Sequence, residues 1–203
     1  MNTYLGACVN FSVHDVDKHV VEASKITYME GYLWDRPEAK DAFRLAARIA
    51  RKAGRKTSIT LSDSFCVERH RDSFLDLIRN DIDIVFANEA EIMMLYQTPD
   101  FDTAMRAIAG DCPVAVLTRS EKGCVVVAEG ISQEVPAHPV EGVFDVTGAG
   151  DLFAAGFLYG FTHNKPLYGC ARLGSLAAAE VISHVGARPE VDLRKLAQAN
   201  GLL

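Results

Sequence analysis

The chain has 203 residues, of which 49% are hydrophobic and 24% charged, with a net charge of -6. That is enough for one large core or two small ones in an ordinary globular protein. The acidic balance argues against nucleic acid or an anionic membrane as partner, since both favour basic surface, and no apolar run reaches the length of a membrane span.

Short β-prone runs alternate with longer helical patterns along the chain. Residues 3–11 (TYLGACVNF) and 26–34 (ITYMEGYLW) read as strands, with a short helix at VDKHVVEAS between them. PEAKDAFRLAARIARKAG follows, with Pro37 near its start, an apolar face through Phe43, Leu45, Ala46, Ile49 and Ala50, and Gly54 at its end. Proline at the front and glycine behind punctuate a helix. Residues 57–63 (TSITLSD) read as a strand, VERHRDSFLDLIRN as a helix, and 82–88 (IDIVFAN) as a strand covered on both faces. A short helix begins at Glu89, DTAMRAIAG is helical, and PVAVLTRS is another buried strand. GCVVVAEGISQEVPA reads as a hairpin turning at Glu129-Gly130, and from Ala149 the pattern is mostly helical. Repeated strand-then-helix units imply right-handed crossovers and a parallel sheet clothed by helices, an α/β fold in one domain over 1–203.

The five cysteines (Cys8, Cys66, Cys112, Cys124 and Cys170) are odd in number, scattered, and form no C-x-x-C pair. They read as free, mostly buried thiols in a reducing compartment. The six histidines show no H-E-x-x-H grouping, so a zinc site is not expected. No basic-then-apolar leader opens the sequence, and the expected location is cytoplasmic.

The chemistry concentrates in FDVTGAGDLFAAGFLYG, residues 144–160. Gly148 and Gly150 allow backbone shapes and close approach that a side chain would block. The helix that follows offers unpaired amides and the positive end of its dipole to anionic oxygens. Asp151 falls in the first turn, beside the place where a phosphoryl group could rest. Donors for the transferring group beside a carboxylate that orients a hydroxyl fit phosphoryl transfer, in which positioning counts for more than base strength. The plain alternative is a helix start whose aspartate serves only the dipole. Two rival glycine motifs fail: a dinucleotide fingerprint needs glycine where Phe153 stands, and no Gly-Lys-Ser/Thr triplet exists for a Walker A loop.

DVTGAGD resembles the closing motif of the ribokinase-like (PfkB) carbohydrate and nucleoside kinases, with Val146 where the family's commonest form has Thr or Ser. Further segments match in family order. NEAE (Asn88 to Glu91) resembles the N-x-x-E motif, and the resemblance implies that Glu91 sets Mg2+ and phosphate geometry, largely through water. By itself that pattern is also an ordinary Asn cap with first-turn acids. TRSEKG (Thr118 to Gly123) resembles the T-x-G-x-x-G turn against the nucleotide, with Ser120 in place of the first glycine. Arg119 there would reach phosphate or be a solvated surface arginine. GSLAAAEVISHVGARPE resembles the helix and loop that close the adenine pocket, with Ser175 and Gly186 near the base, although close helix packing explains the same alanines. The resemblance further implies a monovalent cation such as K+, with Asp145 and the Thr147 carbonyl as ligands. MNTYLGACVNF, EGYLWD and LSDSFCVERHR are most similar to bacterial proteins grouped with adenosine kinase. Trp34 and Tyr32 would stack on a base or pack in the core.

The resemblance implies a three-layer αβα fold that uses ATP and Mg2+ to phosphorylate a small-molecule acceptor, a nucleoside or a sugar. It covers the C-terminal two thirds of a family member, so the lid, the paired-glycine motif and part of the acceptor site would be missing. Asp151 would be the base, with the amides of Gly148, Ala149 and Gly150 as the anion hole. A homodimer is one assembly compatible with it. A non-catalytic ATP-binding fragment and a purely structural domain remain as readings of another class.

Overall fold

The computed structural model describes residues 6–203. Six strands form one sheet in chain order: β1 (Ile26–Glu30), β2 (Lys56–Thr60), β3 (Ile84–Asn88), β4 (Val114–Thr118), β5 (Cys124–Ala128) and β6 (Ile131–Val135). β1 pairs with β2 and β2 with β3 in parallel, in registers that set Met29 opposite Ile59 and Ile59 opposite Val85. Such pairs need crossovers, and the helices supply them. α1 (Lys18–Ala23) precedes β1; α2 (Pro37–Lys52), α3 (Ser64–Asp81), and then α4 (Glu89–Tyr96) with α5 (Phe101–Asp111) join the successive strands to β4. After the hairpin come α6 (Ala149–Thr162), α7 (Leu167–Val181) and α8 (Leu193–Ala199).

Local chemistry explains the boundaries. α2 starts with Pro37 in its first turn and ends before Gly54, which holds φ 67°. The Asp63 carboxylate caps α3 through the Phe65 amide at 2.8 Å, and Asp100 caps α5 through the Thr103 amide at 2.9 Å. β5 and β6 meet at Glu129 and Gly130, whose φ values of 52° and 74° are those of a two-residue hairpin turn.

The start of the chain departs from expectation. Residues 3–5 of the expected strand 3–11, Thr3 and Tyr4 among them, lie outside the described residues, and Gly6–Asn10 is a 3-10 helix. The strand expected over 26–34 stops at Glu30, and Gly31–Asp35 is again a 3-10 helix. At Gly31 a side chain would meet the Thr60 and Leu61 carbonyl oxygens at 2.7 and 2.6 Å, so the chain turns there in tight contact with the end of β2. The turn carries Trp34 inward: it is fully buried, donates its indole N–H to Ser73 Oγ at 2.9 Å, and lies 5.5 Å from the Phe43 ring and 5.7 Å from Phe74. Trp34 is core, not a stacking platform.

The residues fall into two compact units. One runs to Leu117 and includes Val127–Ile131; the other comprises Thr118–Val126 and Ser132–Leu203. The first buries Trp34, Phe74, Ile59, Leu77, Ile78 and Ile84. In the second, α6 and α7 pack through glycines: a Cβ at Gly156 would lie 2.6 Å from the Leu173 carbonyl oxygen, and one at Gly174 2.6 Å from that of Phe153. The small residues of GSLAAAE therefore serve close helix packing in part, as the plain reading expected. All five cysteines are free, and four are buried. No described helix is long and apolar enough to cross a membrane.

Candidate functional site

In the first unit, the carboxyl ends of β1, β2 and β3 present acidic groups. Glu30 ends β1, Asp63 follows β2, and Glu91 sits in the first turn of α4. Tyr32 shares their company: burial raises the pKa of its hydroxyl, and Asp63, Glu91 and Glu30 raise it further. Asn88 and Glu91 form a reciprocal capping box. The Asn88 side-chain oxygen accepts from the Glu91 amide at 2.9 Å, while the Glu91 carboxylate accepts from the Asn88 amide at 2.9 Å and from its Nδ2 at 2.7 Å. Glu91 is only 6% exposed, and burial pushes its carboxyl up to about 7 against the Asn88 hydrogen bond, with Asp63 adding to the rise. The cap is thus the role this geometry displays. Among the described residues no group of three or more His, Cys, Asp or Glu is arranged to hold a metal.

In the second unit, a cavity of about 640 Å³ gathers three of the motifs singled out above. The turn after β4 contributes Thr118, Ser120 and Gly123; the start of α6 contributes Ala149, Gly150 and Phe153; α7 contributes Ser175, Ala178 and Ala179. Its volume is in the range of small-molecule sites. The turn is built by backbone: the Arg119 amide donates to the Gly123 carbonyl at 2.7 Å, and the Gly123 amide to that of Ser120 at 3.0 Å. Ser120 itself takes the left-handed conformation (φ 51°), so the position where the family pattern has glycine keeps a glycine-like backbone. Gly123, at φ 85°, leaves no room for a side chain against Val135, Pro136 and Ala137. Arg119 is half-buried.

The start of α6 is open. Gly148 is its N-cap at φ 83° and offers no capping side chain, and the first intrahelical bond runs from the Leu152 amide to Gly148 at 2.9 Å. The Ala149 amide is already used, donating to the Val146 carbonyl at 3.2 Å. Of the three amides expected as an anion hole, that of Ala149 is therefore engaged, while those of Gly150 and Asp151 precede the helix's own acceptors. Nothing lies within 4 Å of where a Cβ at Gly150 would stand, and the Asp151 side chain is exposed. The acid is turned outward and the amides are not plugged by a side-chain cap.

Asp145 ties this loop down. One carboxylate oxygen accepts from the Thr147 amide at 2.9 Å and the other from the Gly186 amide at 3.0 Å, and these hydrogen bonds, those of Thr147 foremost, hold its carboxyl below the usual range. The residues named for a monovalent cation thus form a clasp between the motif and the loop after α7. The motifs do not mark His138, whose amide donates to Ser175 Oγ at 2.8 Å and which lines the cavity. Burial, helped by Arg172, lowers its pKa. The place of His138 follows from the turn after β6.

The family model for pfkB family carbohydrate kinases matches residues 1–193. The chain belongs to this family. A solved adenosine kinase from Sinorhizobium meliloti superposes on 98% of this chain and 62% of its own, with a TM-score of 0.96 and 54% identity. The cytidine kinase of Thermococcus kodakarensis is 36% identical over 143 residues, 68% of this chain and 51% of that protein. The 2-dehydro-3-deoxygluconokinase of Haemophilus influenzae is 32% identical over 124 residues, 60% of this chain and 39% of that one. This PfkB chain thus spans about half the length of the curated relatives it matches.

Proposed function

We propose that this chain is the nucleotide-binding and phosphoryl-transfer part of an ATP-dependent kinase that phosphorylates a hydroxyl of a nucleoside, adenosine-like in shape, or of a sugar. It corresponds to the C-terminal two thirds of one ribokinase-like domain. The observation that carries the reading is the cavity of the second unit, where the turn after β4, the uncapped start of α6 and the alanines of α7 converge. Its apolar wall of Val140, Phe153, Ala178, Ala179 and Ile182 suits a flat base, with Ser175 as the polar group beside it.

ATP would supply the phosphoryl group, and Mg2+ would screen its charge. The amides of Gly150 and Asp151 face the oxygens of the migrating group at the positive end of α6. The Asp151 carboxylate orients the acceptor hydroxyl and takes its proton, a task in which placement outweighs base strength. Mg2+ keeps most of its waters in such sites, so Glu91, whose oxygens are engaged by Asn88, would act on it through water. The clasp at Asp145 would give a monovalent cation such as K+ its carboxylate and the Thr147 carbonyl.

The test is calorimetry of this chain with ATP and Mg2+, followed on the same sample by a transfer assay over adenosine, cytidine, ribose, fructose and related acceptors. Binding with transfer to one of them, lost in Asp151→Asn while ATP still binds, supports the kinase. Binding without transfer to any of them points to an ATP-binding fragment. Absence of both sinks the reading.

A further inference from the structure

A second constellation lies in the first unit and plays no part in the kinase reading. Along α3 the backbone leaves helical geometry at His70 (φ -122°, ψ 19°). The His70 ring there bridges two groups from other elements. Its Nε2 lies 2.7 Å from Asp35 Oδ1, at the end of the 3-10 helix after β1, and its Nδ1 lies 3.2 Å from Lys40 Nζ, in the first turns of α2. Lys40 Nζ also donates to Ser73 Oγ at 3.3 Å and stands 5.4 Å from the centre of the Trp34 ring. Arg69 donates twice to Asp35, at 3.1 and 3.2 Å, fixing the carboxylate that orients the histidine.

We infer that Lys40 is an activated nucleophile, with His70 as its base and Asp35 as the group that orients the base, and that it is a site of covalent acylation by small acyl phosphates. Nucleophile, base and orienting acid in successive hydrogen-bond reach form the arrangement that activates a weak nucleophile. With the Nε2 proton of His70 donated to Asp35, Nδ1 is left as an acceptor for a proton from Nζ. Burial acts in the same direction: it lowers the Lys40 pKa, with Arg44 adding to the effect and Cys66 and Asp35 opposing it. Lys40 is half-buried, which admits a small electrophile and disfavours a bulky one. The donor class follows from the surroundings. α2 opens at Arg36 with no side-chain cap, so a cationic residue and the positive end of that helix come four residues or fewer before Lys40 in the chain, the charge that a phosphate leaving group calls for.

In the step, the neutral amine attacks the acyl carbon and the C–N bond forms. The C–O bond to phosphorus-bound oxygen breaks, and its electron pair leaves with inorganic phosphate. The proton lost from Nζ passes to His70 Nδ1 and then to water. The product is a neutral secondary amide, which removes the charge over Trp34 and leaves Nζ a single N–H.

The experiment is timed treatment of the whole chain with acetyl phosphate, with the occupancy of every lysine read by peptide mass spectrometry. Lys40 is expected to acetylate faster than the exposed Lys52 and Lys195, by on the order of tenfold or more if His70 acts as base. Trp34 is the chain's only tryptophan, so its fluorescence should change in step with Lys40 occupancy. Asp35→Asn and His70→Gln are expected to bring Lys40 down to the rate of the exposed lysines while leaving Lys52 and Lys195 unchanged, with thermal melts confirming the fold. Lys40 lagging the exposed lysines in the unaltered chain overturns the inference, and that comparison needs no variant. So does an unchanged Lys40 rate in both folded variants.

Discussion

Gly148 and Gly150 sit two residues apart in one motif, yet the structure gives them different work, and alanine at each separates the two roles. At Gly150 a methyl group would meet nothing within 4 Å, and the backbone is helical, so Gly150→Ala removes only the entropy cost of glycine in a first turn. The expected gain is about 0.4–1 kcal/mol. For a chain of this size that raises the melting temperature by roughly 2–4 °C per kcal/mol. The same methyl group would stand over the amides proposed to face phosphate, and ATP affinity should fall at least about tenfold, or roughly 1.4 kcal/mol. Gly148→Ala differs on both counts. Its φ of 83° costs an alanine about 1–2 kcal/mol. Its Cβ would also press on Ala187 at 3.0 Å, so the variant should melt lower. Thermal melts and ATP calorimetry on both variants suffice. A Gly150→Ala protein that binds ATP like the parent would refute the phosphate seat, whatever its stability.

Glu91→Gln should flatten the pH dependence of stability. The native carboxyl titrates near 7 and the unfolded one near 4.5, so the native state holds the extra proton in between, and the Glu91 contribution declines as pH rises through that window. Urea unfolding at several pH values between 5 and 7 should show the variant losing less stability than the parent; parallel curves would contradict the burial argument. Gly156→Ala, which forces a methyl group against the Leu173 carbonyl, should destabilise by about 1–3 kcal/mol in chemical denaturation. Asp145→Ala should release the Gly186 amide and speed hydrogen exchange there, with weaker ATP binding; exchange unchanged at 186 would show that the clasp is not closed in solution.

The elements that could be read from sequence were those whose boundaries are set by local chemistry. Pro37 and Gly54 frame α2, Asn88 opens α4, and Glu129-Gly130 turns the hairpin, each through backbone geometry that neighbouring residues alone determine. The failures lie where tertiary packing decides. YMEGYLW is rich in β-prone aromatics, but Gly31 must pass within van der Waals contact of the carbonyls ending β2, and Trp34 is buried between Phe43 and Phe74. Periodicity carries no information about that packing.

The site shows the same division. DVTGAGD was legible because glycine and aspartate at a helix start impose their own geometry, and Asp151 is exposed as that geometry requires. Which amides remain for a ligand was not legible, because it depends on the turn that returns the Ala149 amide to Val146. The pattern N-x-x-E supports two roles with the same two residues, since an acid that caps a helix through Asn88 is also an acid at the carboxyl end of a parallel strand, where ligands of α/β sheets bind. Burial chooses between protonation states without choosing between roles. A carboxyl that titrates near 7 caps as well when neutral as a hydroxyl acceptor would, but it serves a cation only when ionised. If Glu91 acts on Mg2+, Mg2+-dependent ATP affinity should therefore rise between pH 6 and 8 in the parent chain, and that rise should vanish in Glu91→Gln. An equal rise in both proteins leaves the cap as the whole of its work.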